Sequence, residues 1–241
     1  MKMNEKPLVS IITVCYNSEE LIEGTIKSIM SQTYENIEYI VVDGASKDST
    51  AEIIEEYSDH ITHWVSEPDK GIYDAMNKGL SMVSDSSSFV NFMNSGDEFL
   101  NNDTIEKVIS FAKGQDTLPD VVYGDIIYNN QVRRYPNKLS YLFLSRKTLC
   151  HQAVFFKSDK HKQEKYDLEY KIAADFEMIL RLKMKRKLHF MKIDLPICEY
   201  LEGGLSDTQR DNLYREREKI IKKYPPLNFY NTTISLIKKL K

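Results

Sequence analysis

The sequence predicts an α/β fold in which a largely parallel sheet is covered by helices on both faces. Short apolar runs of strand length alternate with amphipathic helical segments over the first 125 residues. Those runs are apolar at almost every position rather than at every second one, which is typical of strands that are buried on both faces. The alternation of such strands with helices indicates a parallel sheet, and 241 residues suit one large domain with a modest extension.

The first part of the chain contains five predicted strands with helices between them. The strands are predicted at residues 8–14, 37–42, 61–65, 89–93 and 121–123. Helices are predicted at 21–30, 49–57, 73–82 and from 103 onward. Ser49 and Glu52 have the spacing of a capping box, which favours a helix start at that point.

The pattern becomes mixed after Asp125. A hairpin is predicted at 126–135 around Asn129-Asn130, and the remaining elements are a strand at 153–156, a helix at 175–187, a strand at 188–193 and a charged helix at 207–223. Pro225-Pro226 separates this body from a tail. We therefore expect a domain over 1–224, with halves at about 1–125 and 126–224, and a tail over 225–241.

Composition and charge exclude several classes of protein. The chain is 41% hydrophobic and 29% charged, which disfavours wholesale disorder and a protein with many membrane spans. Lys and Arg total 33 against 36 Asp and Glu, so no nucleic-acid partner is expected. The three cysteines are widely separated in sequence, and no apolar stretch reaches the roughly 18 residues of a membrane span. We expect a cytoplasmic protein.

Polar residues gather where the predicted strands end. In open α/β sheets, ligands bind beyond the carboxyl ends of the strands. Four successive strand ends carry such residues here, while the sequence lacks the phosphate-binding patterns G-x-G-x-x-G and G-x-x-x-x-G-K-[ST]. The four clusters lie at 13–17, 43–48, 67–71 and 94–97. We expect them to form one functional edge of the sheet.

The order and spacing of these clusters resemble the inverting, nucleotide-sugar-dependent glycosyltransferases of family 2, which have the GT-A fold. The resemblance covers roughly residues 7–205, and it is greatest to bacterial enzymes that assemble surface polysaccharides. The matching segments are SIITVCYN at 10–17, VDGASKDST at 42–50, SEPDKGIYDAMNKG at 66–79, NSGD at 94–97 and ADFE at 174–177.

The resemblance implies where a nucleotide-sugar donor binds, mostly in the first half of the chain. Asp43 matches the family's acceptor of a hydrogen bond from the nucleobase, and Asp69 and Lys70 fall where the family contacts the nucleotide and its phosphates. Asp48 has two open interpretations, a donor contact or a residue that favours the start of a helix. The implied donor-binding residues are Thr13, Tyr16, Asn17, Asp43, Asp48, Asp69, Lys70, Gly71, Asp74, Asn77, Asn94, Ser95 and Gly96.

The resemblance also implies a divalent cation and a catalytic base. The family's D-x-D metal motif aligns with Ser95-Gly96-Asp97, so this chain keeps only the last carboxylate. Mg²⁺ commonly uses one or two carboxylates with substrate phosphates, which leaves a Mg²⁺ or Mn²⁺ ion compatible with Asp97. His151 is a further candidate metal contact, with a purely structural histidine as the alternative. Asp175 matches the family's catalytic base, and the alternative is an Asp favoured at a helix start by the helix dipole.

The implied reaction moves a sugar from a nucleoside diphosphate to a hydroxyl of a glycan or a lipid-linked glycan, with inversion. Uridine diphosphate is the expected carrier because it is the commonest in the family. Two alternatives remain open at this point, a binding protein of the same fold without catalysis and a sugar nucleotidyltransferase.

Two segments near the C-terminus have open interpretations. The residues at 203–206 resemble a loop that closes over the donor, or they form a plain turn. The tail places Tyr230, Ile234, Ile237 and Leu240 at helical spacing beside several lysines. Such a helix either rests on anionic lipid at the inner face of the cell membrane or packs its apolar stripe on the body.

Overall fold

One sheet of nine strands runs through the described residues, 6–200, 204 and 208–229, of this computed structural model. Its strands are β1 Leu8–Cys15, β2 Ile37–Asp43, β3 His63–Ser66, β4 Ser87–Phe92, β5 Glu98–Phe99, β6 Val121–Tyr128, β7 Gln131–Arg133, β8 Val154–Lys157 and β9 Phe190–Glu199. The helices are α1 Ile22–Met30, α2 Thr50–Glu56, α3 Ile72–Met82, α4 Thr104–Lys113, α5 Tyr141–Leu144, α6 Ser158–Gln163, α7 Ala174–Leu180 and α8 Arg210–Lys222. A π-helical turn, Arg181–Lys185, continues α7.

The strand order is β3-β2-β1-β4-β8-β6-β9-β5, with β7 paired to β6. The first four strands are parallel to one another, and β9 is parallel to β6. The antiparallel pairs β4–β8, β6–β8, β5–β9 and β6–β7 all involve the second half of the chain. The predicted α/β class, with a parallel first part and a mixed second part, is confirmed.

Strand β1 lies at the centre of the parallel part and is buried at seven of its eight positions. Helix α3 crosses it closely at Gly79, where a Cβ atom would stand 2.5 Å from Cγ2 of Ile12. Only a residue without a side chain permits this distance between helix and sheet. The glycine therefore lets α3 pack directly against β1.

The β6–β7 hairpin is confirmed, and its turn explains the Asn129-Asn130 pair. Both asparagines have positive φ, 50° and 58°, which is the left-handed conformation that a type I′ turn requires at its two central residues. Asparagine tolerates this conformation better than most residues do.

Two local expectations differ from the structure. Strand β9 runs to Glu199, six residues beyond the predicted end, and passes through Pro196. The register between β6 and β9 shifts on both sides of Asp125, the partner of Pro196, so the proline lies where the ladder is already irregular. At the start of α2, Ser49 makes no capping bond. Instead, Asp48 accepts from the backbone N–H of Thr50 at 3.1 Å.

Several expectations fall on parts of the chain that are not described. Residues 201–203, 205–207 and 230–241 lie outside the described residues, and they include most of the proposed closing loop and of the basic tail. Among the helices that are described, none combines the length and the apolar character that a bilayer crossing requires.

A buried histidine, His161, lies in an aromatic cage beneath the sheet. Its ring centroid is 4.4 Å from that of Phe156, 5.4 Å from that of Tyr166 and 5.5 Å from that of Phe92. The side chain is fully buried, and neither ring nitrogen has a hydrogen-bond partner among the described residues. Burial lowers the pKa of His161 from 6.5 to about 4, because the charged imidazolium is poorly solvated there.

We predict that His161→Phe reduces the loss of stability in mild acid. Between pH 6.5 and 4 the unfolded chain binds a proton at this histidine and the native chain does not, which costs about 1.4 kcal/mol per pH unit. The variant should therefore lose about 2 kcal/mol less than wild type between pH 7.5 and pH 5, measured by urea unfolding. His60→Phe, at an exposed position, is the control. Equal acid losses in wild type and His161→Phe would contradict the prediction.

Candidate active site

A cavity of about 700 Å³ lies against the carboxyl end of β4. Its polar lining includes the loop that follows β4, the turn that precedes β8, and the first turn of α7. The cavity brings together six of the residues singled out from the sequence, namely Asn94, Ser95, Gly96, Asp97, His151 and Asp175. Residues almost 80 positions apart in the chain therefore share one space.

Asp97 is held at the inner part of this lining by Gln152. The amide Nε2 of Gln152 donates to Oδ2 of Asp97 at 2.7 Å. Asp97 is only 9% exposed, and burial raises the pKa of its carboxyl to about 7, although the hydrogen bond from Gln152 favours the charged form. A nearby cation would stabilise the charged form of this poorly solvated carboxylate.

The loop before Asp97 carries two buried oxygen atoms without partners. Oδ1 of Asn94 and Oγ of Ser95 have no hydrogen bond to any described residue. Buried polar atoms are normally paired, so unpaired oxygens in a cavity wall indicate a site for a ligand or an ion. Oxygen atoms are also the ligands that Mg²⁺ and Mn²⁺ prefer. The residues present therefore fit a divalent cation, although the described residues contain no cluster of three or more His, Cys, Asp or Glu.

His151 connects the Asn94 loop with Asp175. Its Nε2 lies 2.8 Å from Nδ2 of Asn94, as the amide is assigned. An amide nitrogen can only donate, so Nε2 accepts and the ring proton lies on Nδ1, which is 4.0 Å from Oδ2 of Asp175. Burial lowers the pKa of His151 to about 4, so the ring is neutral near pH 7. For Nε2 to bind a metal ion, the contact with Asn94 would have to break.

Asp175 presents one carboxylate oxygen to the cavity. Its Oδ1 accepts from the backbone N–H of Phe176 at 2.7 Å and from the hydroxyl of Tyr73 at 3.2 Å. Its Oδ2 faces His151, and 19% of the side chain is exposed. Burial raises the pKa of Asp175 above its usual value, and the hydrogen bonds on Oδ1 oppose this shift only in part. Asp175 is thus a fixed, partly desolvated carboxylate with one oxygen free to take up a proton.

Helix α8 fixes the backbone that leads into Asp175. The carboxylate of Glu216 accepts from three successive backbone N–H groups, those of Lys171, Ile172 and Ala173, at 2.8, 2.9 and 2.9 Å. The next residue, Arg217, lies over the ring of Phe176 at 4.4 Å and lines the cavity. Tyr73, Glu216 and Arg217 were not singled out from the sequence. Tyr73 lies inside the motif at 66–79, whereas Glu216 and Arg217 are unremarkable members of a charged helix.

Asp43 lies outside the cavity lining, at the neighbouring end of β2. It is fully buried, and its carboxylate accepts from the backbone N–H of Ser46 at 3.0 Å, from the Ser46 hydroxyl and from the Ser66 hydroxyl at 2.5 Å. A nucleobase could reach this carboxylate only by displacing one of the two hydroxyl groups. The cavity itself adjoins β1, since the backbone N–H of Ser95 donates to the carbonyl of Val14 at 3.2 Å.

Tyr16 and Asp69 flank Gly44. A Cβ atom on Gly44 would stand 2.6 Å from Oδ2 of Asp69 and 3.3 Å from the ring of Tyr16, which is 59% exposed. Asn17 joins the same group, because its Oδ1 accepts from the backbone N–H of Lys47 at 2.8 Å. The predicted donor residues at the ends of β1, β2 and β3 therefore lie side by side.

The remaining predicted residues make structural contacts or lie at the surface. The hydroxyl of Thr13, fully buried, bonds the carbonyl of Met93 and the hydroxyl of Tyr39. Both ends of the Asn77 amide bond the backbone of Tyr166. Neither Thr13 nor Asn77 lines the cavity.

The loop before α3 holds the last three of these residues. Asp74 accepts from the backbone N–H of Lys70 at 3.0 Å. The Lys70 side chain is exposed, and Gly71 has a φ of 116°, a conformation that favours glycine.

Comparison with known proteins decides the family. Residues 10–184, more than two thirds of the chain, match the sequence profile described as Glycosyl transferase family 2. The chain belongs to this family. An uncharacterized glycosyltransferase of Mycobacterium tuberculosis is 34% identical over 209 residues, which cover 84% of this chain and 78% of the relative. A PGL/p-HBAD biosynthesis glycosyltransferase of the same species is 28% identical over 88% of this chain and 84% of the relative.

Solved structures share the fold of this family 2 glycosyltransferase. Residues 1–349 of S. aureus TarS in complex with UDP have a TM-score of 0.69 and 21% identity, covering 89% of this chain and 65% of that chain. The mannosyltransferase PcManGT of Pyrobaculum calidifontis, in complex with GDP-Man and Mn²⁺, has a TM-score of 0.72 and 16% identity, covering 95% of this chain and 70% of that one. This chain spans only 39% of the longer TarS chain that has also been solved. The predicted GT-A-type fold is confirmed.

We predict that Glu216→Gln destabilises this glycosyltransferase by about 1–3 kcal/mol, since an amide cannot accept from all three backbone N–H groups. Urea unfolding at pH 7.5 measures the change. Glu218→Gln is the matched control on the same helix, because Glu218 is exposed and its one ion pair with a described residue is with Lys222. If the two variants unfold at the same urea concentration, the Glu216 contacts do not hold the segment before α7.

Proposed function

We propose that this enzyme transfers a sugar from a nucleoside diphosphate donor, with UDP as the preferred carrier, to a hydroxyl of a glycan or lipid-linked glycan, with inversion of the anomeric centre. The observation that carries the proposal is the shared cavity. Asp97 and the unpaired oxygens of Asn94 and Ser95 line the same cavity as Asp175, which supports the proposal. A glycosyl transfer needs these two functions, charge relief for the leaving diphosphate and a base for the acceptor.

The donor enters from the ends of β1, β2 and β3 in this proposal. Tyr16 is exposed beside Gly44 and offers a ring against which a base can stack. Asp69 lies close to Gly44, the residue that follows Asp43, and Lys70 is exposed and carries an ammonium group that suits phosphate. The Ser95–Val14 hydrogen bond makes this surface continuous with the cavity, so the sugar of a bound donor points toward Asp175.

Asp175 acts as the base in this proposal. Its Oδ1 is fixed by Phe176 and Tyr73, which leaves Oδ2 free to receive a proton. The proton comes from the acceptor hydroxyl, whose oxygen attacks the anomeric carbon as the diphosphate leaves. Partial burial raises the pKa of the carboxyl and so strengthens it as a base. Neutral His151 lies beside Oδ2 and holds this side of the cavity in place through Asn94.

Asp97, Asn94 and Ser95 are the residues that would hold a Mg²⁺ or Mn²⁺ ion. Such an ion supplies positive charge to the departing diphosphate. Gln152 keeps Asp97 oriented through its 2.7 Å hydrogen bond. Because the protein offers one carboxylate, we propose that the ion binds firmly only together with the donor phosphates. His151 contributes to this site through Asn94 rather than as a ligand.

The relatives support a role in the assembly of bacterial surface polysaccharides. TarS has been solved with UDP and with UDP-GlcNAc. A putative teichuronic acid biosynthesis glycosyltransferase of Bacillus subtilis, TuaG, is 37% identical over 111 residues, 45% of this chain and 43% of TuaG. We propose a place for this enzyme at the cytoplasmic face of the membrane, where lipid-linked glycans are extended.

We predict that Asp175→Asn lowers the rate of sugar transfer about 10²–10⁴-fold and leaves the affinity for UDP within about twofold. The amide keeps an oxygen for the bonds from Phe176 and Tyr73 but cannot take up the proton. Transfer assays and titration with UDP measure the two effects. Asp159→Asn, exposed on α6, is the control. Turnover near the wild-type rate would remove Asp175 from the base role.

We predict that Asp97→Ala abolishes transfer and weakens the stabilisation that Mn²⁺ gives in the presence of UDP. Thermal unfolding with UDP alone and with UDP plus Mn²⁺ measures this, because a ligand that binds only the native state raises the melting temperature. Asp103→Ala, exposed in part at the start of α4, is the control. If wild type shows no transfer and no hydrolysis of any nucleotide sugar, the non-catalytic binding protein replaces the proposed enzyme.

A further inference from the structure

The cavity carries a concentration of positive charge to which the proposed donor contacts assign no role. Among the described lining residues, five are cationic and only Asp97 and Asp175 are acidic. The five come from the β6–β7 hairpin, the segment after α5, and α8; they are Arg133, Arg146, Lys147, Arg210 and Arg217. The whole chain has a formal charge of −3, so its composition does not explain this excess.

Most of these cations lack a carboxylate partner. Arg133, Arg146, Lys147 and Arg217 have no acidic oxygen within 4.0 Å among the described residues. Arg217 is the clearest case, because it is half-buried over the Phe176 ring and burial lowers the pKa of its guanidinium. Arg217 interacts with the charge of Asp175 without forming a direct ion pair. A desolvated cation that faces an open cavity without a direct ion pair is well placed to receive an anion, since the cost of its desolvation has already been met in folding.

The position of these cations separates them from the donor surface. The donor residues lie at the ends of β1, β2 and β3, whereas Arg133 lies on β7, which pairs with β6. In the sheet, β6 is three strands from β1, a lateral distance of about 14 Å. Arg133 and Arg217 line the same cavity as Asp175, whereas the donor residues Asp43 and Asp69 do not line it. We therefore take the two arginines as part of the acceptor side.

Aromatic side chains accompany the cations on this side. Tyr128 and Tyr200 pack with ring centroids 5.8 Å apart, Arg133 lies 6.0 Å above Tyr128, and Tyr214 of α8 is 67% exposed. All three tyrosines line the cavity. Exposed aromatic rings suit the apolar faces of sugar rings, and arginines suit phosphate oxygens.

We infer that the acceptor of this glycosyltransferase is a phosphate-bearing glycan, whose phosphate is bound by Arg133 and Arg217 while its sugar hydroxyl faces Asp175. The inference rests on the proposed function, because it takes the residues around Asp175 as the acceptor side. It adds the chemical class of the acceptor: a sugar phosphate or sugar diphosphate, rather than a neutral glycan. A focused positive potential would also raise the rate at which such an acceptor enters the cavity.

The test compares a charged and an uncharged sugar with the donor site filled. The probes are glucose 1-phosphate and methyl glucoside, titrated into the full chain with saturating UDP and Mg²⁺ and followed by ligand-observed NMR. Wild type should bind glucose 1-phosphate at least tenfold more tightly than methyl glucoside. Raising NaCl from 50 to 300 mM should weaken only the charged probe, because salt screens the attraction.

Two double variants with equal charge changes locate the site. Arg133→Gln/Arg217→Gln should lose most of the preference for glucose 1-phosphate. Arg134→Gln/Arg215→Gln removes the neighbouring arginines, which do not line the cavity, and should keep the preference within twofold. If the first double variant does not fold, the single variant Arg133→Gln, on exposed strand β7, replaces it. Its preference for glucose 1-phosphate over methyl glucoside should fall at least threefold.

Three results would overturn the inference. The first two are equal affinity for both probes in wild type and an unchanged preference in the cavity variants. The third is tighter binding of glucose 1-phosphate without UDP than with saturating UDP, which would mean that UDP displaces it. The last result would assign the arginines to the donor diphosphate. The proposed function fails on a different measurement, the absence of thermal stabilisation by UDP with Mg²⁺, so the two failures are distinguishable.

Discussion

The parallel pairing of β1 with β2 on one side and β4 on the other is the constraint on which the rest of the site depends. Strands that run in the same direction end at the same edge, so the loops that follow them must lie side by side. The bond from Ser95 N–H to the Val14 carbonyl continues this pairing into the loop that carries Asp97. The proposed donor surface and the loop that carries Asp97 are therefore fixed relative to each other by backbone hydrogen bonds.

Burial then gives the two carboxylates of the cavity their chemical character. Asp97 and Asp175 both have a raised pKa because solvent reaches them poorly, and neither has an arginine or lysine within 4.0 Å among the described residues. Each is oriented by neutral donors instead, Gln152 for the first, and Tyr73 with the Phe176 N–H for the second. Carboxylates held this way remain available to a cation or a proton, which a salt bridge would prevent.

The sequence predicted the strands and the polar edge well because both depend on local pattern. Continuous apolar runs such as 37–42 identify buried strands, and polar clusters after them mark the edge. It could not predict that Asp43 would be saturated by Ser46 and Ser66, because this depends on how two loops meet in space. The extension of β9 through Pro196 was also not predicted from the sequence. The register is irregular there, so the backbone N–H that proline lacks is not needed for regular pairing. Glu216 lay beyond prediction since its three acceptor contacts join segments over 40 residues apart.

The two sides of the site are held by different kinds of interaction, and this has a consequence for specificity. The proposed donor side depends on backbone geometry, with positive φ at Asn17 and Ala45 and close approach of Asp69 to Gly44. The proposed acceptor side depends on side chains of α8, which packs on α7, and of the β6–β7 hairpin. Substitutions there leave the parallel strands undisturbed. The fold can therefore keep one donor chemistry while its acceptor specificity changes. Substitutions of the cations around Arg217 would produce such a change.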